Sequence, residues 1–408
     1  MRDALWVAGL LLVPLFGMWI ARIEFVQRLD VAARIAIQFA AGIVTLTALM
    51  FAMTVIGVSW NRTSLGIPLL IIVAFGVRRH RRRLESGSSA AALQTAPIIL
   101  FVLYAVLTAR MTCADLLFFW GPKGQVFYLV GGIDPFFLGW SNHYLMHSDY
   151  PPLVPLLYAF ASVVAHRFSW WGALAGGAVF YAATLAAFHG LSGKGRFTVL
   201  FAAVMALGYS VGMVAGGADP VLLFFECIAL CALTFAPDDR GAQIVAAIAL
   251  AGVAATKVEG ALFCAILIGG YVIVQRKVLP ALLQCIPPFL LLGGWLLYAR
   301  NHQLLDQYTR AREPLVGNVG KTLLTTLQVA SYQSLYIPWL AALAPLTLGR
   351  RWRRAALPLL AGVASLASFV VIYLHSNVDP TFWIRSSAER VLLTPLMCFA
   401  VASAAASE

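Results

Sequence analysis

An all-α, polytopic transmembrane helical bundle is the fold class this sequence predicts, on three observations. Of 408 residues, 61% are hydrophobic and only 11% are charged, where a soluble domain carries about 25% charged residues; mean hydropathy is +0.85. Apolar runs that approach the length of a membrane span recur along the chain. The basic residues gather in short loops between those runs, chiefly RRHRRR (78–83) and RRWRR (350–354). That is the pattern of the positive-inside rule. The net charge of +12 therefore points to membrane orientation and not to nucleic acid.

The first run, 4–21, has no basic segment before it and no small-residue cleavage site, so it reads as a membrane helix and not as a signal peptide. Further runs cover 35–58, 63–77, 92–110, 170–188, 197–215, 221–236, 242–256, 260–275, 279–298, 329–348, 355–374 and 389–405. That makes roughly thirteen, some short for a span of about 17–25 residues. Residues 1–91 form N-terminal helices with a basic cytoplasmic loop. Residues 92–408 form the main module, whose first large outer loop is 111–169.

With 78–83 and 350–354 in the cytoplasm, residues 111–150, 299–328 and 375–388 fall outside, as do the links at Asp219 and Lys257. QRK (275–277) falls inside. The two halves agree only if 151–166 does not cross. Pro151, Pro152 and Pro155 suit a helix start at a surface, and His166 and Arg167 close it, so an interfacial helix on the outer leaflet is expected. Trp170 and Trp171 then re-enter the membrane as part of an aromatic belt. Cys227 and Cys231 share a helix face, and Cys264, Cys285 and Cys398 lie in apolar runs; no disulfide is expected.

On this topology Asp115, Asp134, Asp149, Asp219, Glu259, Asp306, Glu313, Asp379 and Glu389 all fall at or near the outer face. Orientation does not require this, because Asp and Glu contribute little to it. The acids need a separate explanation.

In GGADPVLLFFE (216–226), Asp219 as N-cap and Pro220 as first helical residue make a local start signal. Glu226 lies two turns deeper, about 10 Å at 1.5 Å per residue. An acid at that depth is costly, so it should face protein or a wet cavity. In ATKVEGALF (255–263), Thr256 and Glu259 fit the capping-box spacing. Capping does not explain Lys257, a cation at a helix N-terminus. Either it snorkels to water or an anion such as a lipid phosphate sits there. In IRSSAERVLLTPL (384–396), Ser386 and Glu389 repeat the box, with Arg385 and Arg390 flanking the helix start. Arg390 can pair with an acid or hold a phosphate through bidentate contacts. Helices opening near 150, 220, 257 and 387 would thus turn their N-termini to one anion site. Asp115, Asp149 and Asp219 would supply a base or hold a metal.

CADLLFFWGPKGQVFY (113–128) crowds Asp115, Trp120 and Lys123 among aromatic rings. An interfacial helix with a snorkelling lysine accounts for the rings and Lys123, but not for the acid. In HYLMHSDYPPLVPLL (143–157), His147 and Asp149 have ligand chemistry for a divalent ion. A plain loop with an N-cap Asp explains His143 and His147 better. HExxH, P-loop, GxSxG and Rossmann glycine patterns are absent. NRT (61–63) is a chance-level sequon.

The blocks DLLFFWGPKGQVFYLVGGID, HSDYPPLVPLL, GGADP, TKVEG and SAERVLLTPL follow one another from about residue 111 to 400. In order and spacing they resemble bacterial family 39-like members of the GT-C superfamily of membrane glycosyltransferases. Protein O-mannosyltransferases and lipid A aminoarabinose transferases belong to the same superfamily. The first 90 residues lie outside the resemblance and form an N-terminal extension or variant arrangement.

The resemblance implies a GT-C-like bundle in the bacterial inner membrane, with its active site facing the periplasm or exterior. The donor would be a polyprenyl-phosphate sugar, transferred with inversion to a glycan, lipid or protein acceptor. Asp115 matches the loop acid that acts as base or metal ligand, although its neighbours here are Ala114 and Leu116 and not a second acid. Asp149 and Asp219 match further outer acids, and Lys257 and Arg390 match positions that meet the lipid phosphate. Trp120, Lys123, Tyr150, Glu259 and Arg385 complete the expected substrate-binding set. No cofactor is implied beyond an optional divalent metal ion. A transporter or flippase of a lipid-linked anion is the competing class, and it should place ionisable residues near the midplane with repeat symmetry. A non-catalytic membrane subunit is the third.

Overall fold

The computed structural model describes residues 2–77, 115–140, 147–208, 217–304, 319–331, 336–349, 351–374 and 380–407. Helices make up nearly all of it, with no strand among the described residues. The RRHRRR loop, the 92–110 run, Cys113, His143, Asp306, Glu313 and Asp379 lie outside those residues.

The N-terminal run is segmented: α1 (Arg2–Leu11), α2 (Val13–Phe16) and a 3-10 turn over Met18–Arg22. Pro14 opens α2, where its fixed φ and missing N–H do least harm. α3 (Glu24–Gln27) leads to α4 (Val31–Val55), where Asp30 Oδ1 accepts the N–H of Ala33 at 2.8 Å. A side chain at Gly17 would collide with the backbone carbonyl of Gln38, and one at Gly42 with that of Val13. The two glycines let α2 lie directly against α4, as small residues do between membrane helices. α5 (Arg62–Val77) starts at Asn61, whose Oδ1 accepts the N–H groups of Thr63 and Ser64. That explains this asparagine without glycosylation.

After a π-helical turn over Leu116–Trp120 come α6 (Gly121–Val130) and α7 (Pro135–Gly139), the latter capped by Asp134. α8 (Leu153–Ala165) corrects an expectation. An interfacial helix would leave one face to lipid, yet Leu153 through Val163 are all buried, against α1 and α6. Leucine, valine, tyrosine and phenylalanine on every side make it a core helix. Trp6 Nε1 donates to Ser162 Oγ at 3.0 Å, joining the N-terminal helices to it.

α9 (Trp170–Ser192), capped by Ser169, precedes α10 (Gly195–Gly208). α11 (Asp219–Phe235) is the central element, packed on α9 and α12 (Arg240–Thr256), with Pro220 through Leu233 buried. α13 (Val258–Gln275) and α14 (Val278–Asn301) follow. The predicted 329–348 run falls across α15 (Val319–Ser331) and α16 (Tyr336–Leu348). α17 (Trp352–Leu374), α18 (Pro380–Val391) and α19 (Leu393–Ala406) close the chain.

Among the described residues, six segments are long and apolar enough to cross a membrane: Asp3–Arg22, Val31–Val55, Trp170–Ser192, Val258–Gln275, Val278–Asn301 and Trp352–Leu374. This is a multi-pass pattern; the described residues hold fewer full-length spans than the sequence count, and the 92–110 run lies outside them. Several remaining runs form shorter apolar helices, including α8, α12 and α19. α14 shows Leu279, Leu282, Leu283, Ile286, Phe289 and Leu290 to the outside. An apolar stripe of that size suits lipid as solvent.

Helices alternate between two ends. At one end Lys277 pairs with Asp238, Arg28 approaches Asp239 at 3.8 Å, Gly190 abuts Asp30, and the Arg351 N–H reaches the Ala406 carbonyl. Asp115, Asp134, Asp149, Asp219 and Glu259 belong to the other end, where Trp60 N–H donates to the Gly131 carbonyl at 2.7 Å.

The glycine contact is directly testable. Gly17→Val should lower the melting temperature in detergent, by the equivalent of about 1–3 kcal/mol of overpacking. Gly66→Ala, inside α5 with open space around it, should leave the melt unchanged or slightly higher, since alanine favours the helix.

Candidate functional site

α12 and α13 are separated by Lys257 alone, in extended conformation (φ −147°, ψ 160°). Gly260 allows the close crossing, since a side chain there would strike the Val253 carbonyl. The expected capping box is not formed: Thr256 Oγ1 donates back to the Gly252 carbonyl at 2.6 Å, and no side chain caps α13. The break leaves Lys257 at the bundle end, where its Nζ donates to Asp219 Oδ1 at 2.6 Å.

Asp219 is the first residue of α11, with Ala218 as N-cap, one position from the expected start. Its second oxygen lies 3.8 Å from Arg390 Nη1, and the same nitrogen donates to Asp115 Oδ2. The result is a continuous alternation, Asp115–Arg390–Asp219–Lys257. Arg390 reaches it from an unexpected direction. α18 begins at Pro380, so Ser386 and Glu389 are helix-interior positions and not a box, and Arg390 is in the last turn. A cation there is favoured by the helix dipole. The chain turns at Leu392 before α19.

Glu259 extends the group, its Oε1 accepting from Tyr150 Oη at 3.1 Å. Burial works against the Lys257 ammonium, but Asp219 and then Glu259 attract it more strongly, and its pKa is held above the ordinary lysine value. Lys257 therefore stays cationic through the neutral range.

Tyr150 belongs to a pinned loop. His147 stacks on its ring (4.8 Å, 20°), Lys123 Nζ donates to the His147 carbonyl at 2.8 Å, and Trp295 Nε1 donates to the Asp149 carbonyl at 2.7 Å. Lys123, expected among the substrate-binding residues, thus holds loop backbone and is itself buried. Asp149 is buried and, like Asp115, is not part of the lining of the cleft described below. Trp120, expected among the substrate-binding residues, is buried behind Tyr150. Its ring is 2% exposed and packs against Tyr150, with no hydrogen-bond partner for Nε1 among the described residues. Arg385 is exposed on α18, away from the cleft lining.

Asp219, Lys257, Glu259 and Arg390 stand on the rim of a cleft of about 530 Å³, counted together with the open space at its mouth. Leu222, Leu223, Phe263, Ile266 and Phe369 give it apolar walls, and Glu226, Thr394 and Ser365 lie along it. Glu226 is 1% exposed and accepts from Thr394 Oγ1 at 2.7 Å. Sequence reasoning singled out Glu226 by its depth but missed Thr394 and Ser365. Hydroxyls in apolar helices carry no distinguishing pattern.

No group of three or more His, Cys, Asp or Glu side chains converges among the described residues. The donor set does not fit a divalent ion. Asp115 and Asp219 have the Arg390 guanidinium between them.

Comparison with protein-family models, curated proteins and solved structures finds no match to this chain. Its function therefore rests on its own geometry.

The coupling of the central pair has a measurable consequence. Lys257→Met leaves a buried carboxylate short of a partner and should destabilise by about 3–5 kcal/mol. Adding Asp219→Asn should recover most of that loss in denaturation experiments; purely additive losses would show the two residues to be uncoupled.

Proposed function

We propose that the protein is a GT-C-like membrane glycosyltransferase that moves a sugar from a polyprenyl-phosphate donor to an acceptor at the outer face. The observation that carries this reading is the alternation Asp115–Arg390–Asp219–Lys257, of which Arg390, Asp219 and Lys257 line an apolar-walled cleft. Positive-inside bias puts the end with Arg28, Arg276, Lys277 and Arg351 in the cytoplasm and the cleft end outside. In a bacterial cell that is the periplasmic side of the inner membrane.

The chemistry needs a base for the acceptor hydroxyl and cations for the departing phosphate. Asp219 meets both Lys257 and Arg390; Asp115, which meets Arg390 alone among the ion pairs of the rim, is assigned as the base. It takes the proton as the hydroxyl attacks the anomeric carbon. The carbon–oxygen bond to phosphate breaks, and the lipid phosphate leaves with the electron pair. Lys257 and Arg390 neutralise that charge, Arg390 through its forked donors. Tyr150 and Glu259 position Lys257, while Lys123, Asp149 and Trp120 hold the loop behind them.

One observation favours a transporter of a lipid-linked anion instead: the buried acid Glu226 along the cleft, a feature of ion pathways. Turnover separates the two readings. Purified protein given radiolabelled polyprenyl-phosphate sugars and a membrane extract as acceptor source should release polyprenyl phosphate. Asp115→Asn should cut that rate about 10²–10⁴-fold while donor affinity stays within a few-fold. Donor binding without release in wild type would exclude the transferase.

A further inference from the structure

Seven residues separate Asp219 from Glu226 on α11, which is two turns and about 10 Å along the axis. Both line the same cleft, so an ion-paired rim stands above a second, uncharged-walled level. At that level three polar side chains from three helices come to one apolar space: Glu226 from α11, Ser365 from α17 and Thr394 from α19.

Holding helices together accounts for part of this. The Thr394 hydroxyl donates to Glu226 Oε2 at 2.7 Å and links α19 to α11. Ser365 is not explained in that way. It is 2% exposed, and its Oγ has no hydrogen-bond partner among the described residues. A buried hydroxyl left without a partner is costly, and a serine contributes almost nothing to apolar packing. An isoprenoid chain inserted here would leave it equally unsatisfied.

We infer that Glu226, Ser365 and Thr394 form a deep polar subsite that takes a hydroxyl or amine group of a ligand whose anionic group sits at Lys257 and Arg390. The assignment rests on the anion-binding reading of the rim and adds a second fixed point about 10 Å below it. Between the two points Leu222, Leu223, Phe263 and Phe369 accept only apolar surface. The ligand is therefore selected by spacing: anion, apolar stretch, then a hydrogen-bonding group.

Two synthetic probes test this, octyl phosphate and 8-hydroxyoctyl phosphate, titrated calorimetrically into the full-length protein in detergent. Wild type should bind the hydroxyl probe about tenfold more tightly, the worth of one buried hydrogen bond. Glu226→Leu combined with Ser365→Ala should abolish or invert that preference while octyl phosphate still binds. If the double variant does not fold, Ser365→Ala alone should reduce the preference about threefold and leave the melting temperature unchanged or higher, since it removes an unsatisfied hydroxyl. Equal affinity of the two probes for wild type overturns the subsite and leaves the transferase reading standing. A lower melting temperature for Ser365→Ala with unchanged preference overturns it too, because Ser365 is then a packing residue. Failure of both probes to bind overturns the anion site and the subsite together.

Discussion

The sharing of one carboxylate, Asp219, between Lys257 and Arg390 is the constraint on which the site end of this molecule depends. Charges with little access to water are tolerated only when paired, and removing one partner is far worse than removing both. Asp219 opens α11, Lys257 precedes α13, Arg390 ends α18, and Asp115 precedes the turn into α6. All four chain positions must therefore arrive at one level. The Arg390–Asp115 pair spans 275 residues of sequence, so the first described segment after residue 114 is tied to the last two helices.

Helix lengths follow from where each helix sits. α11 has 17 residues and α19 has 14, about 25 and 21 Å at 1.5 Å per residue, short of a hydrocarbon core of about 30 Å. Both are buried along nearly their whole length. A helix surrounded by protein need not match the bilayer, because its ends meet other helices and not lipid headgroups. The longer α14, with 24 residues, displays a leucine-rich stripe to the outside. The short central helices leave room for a cleft bordered by α11, α13, α17 and α19, entered from the ionic rim.

In the rim the cations Lys257 and Arg390 are balanced by the carboxylates of Asp219 and Asp115. The pinned loop with Tyr150 keeps Glu259 beside Lys257.

Composition and periodicity alone determined that the chain is helical and crosses a membrane, because apolar run length and charge scarcity are local properties read against one solvent. They also put Asp115, Asp219, Lys257 and Glu259 at one end, since the order of spans alternates the loops. Local pattern failed where partners lie far apart in sequence. Thr256 and Glu259 have capping-box spacing, yet Thr256 bonds back along α12 because the two helices abut at Lys257. Trp120 and Lys123 have the composition of an interface, yet they are packed behind Tyr150. Only the tertiary structure decided that Asp115, Arg390, Asp219 and Lys257 form one chain, and that Ser365 faces the cleft of Glu226. Which faces of two apolar helices meet is set by packing between whole surfaces, and no single segment encodes it.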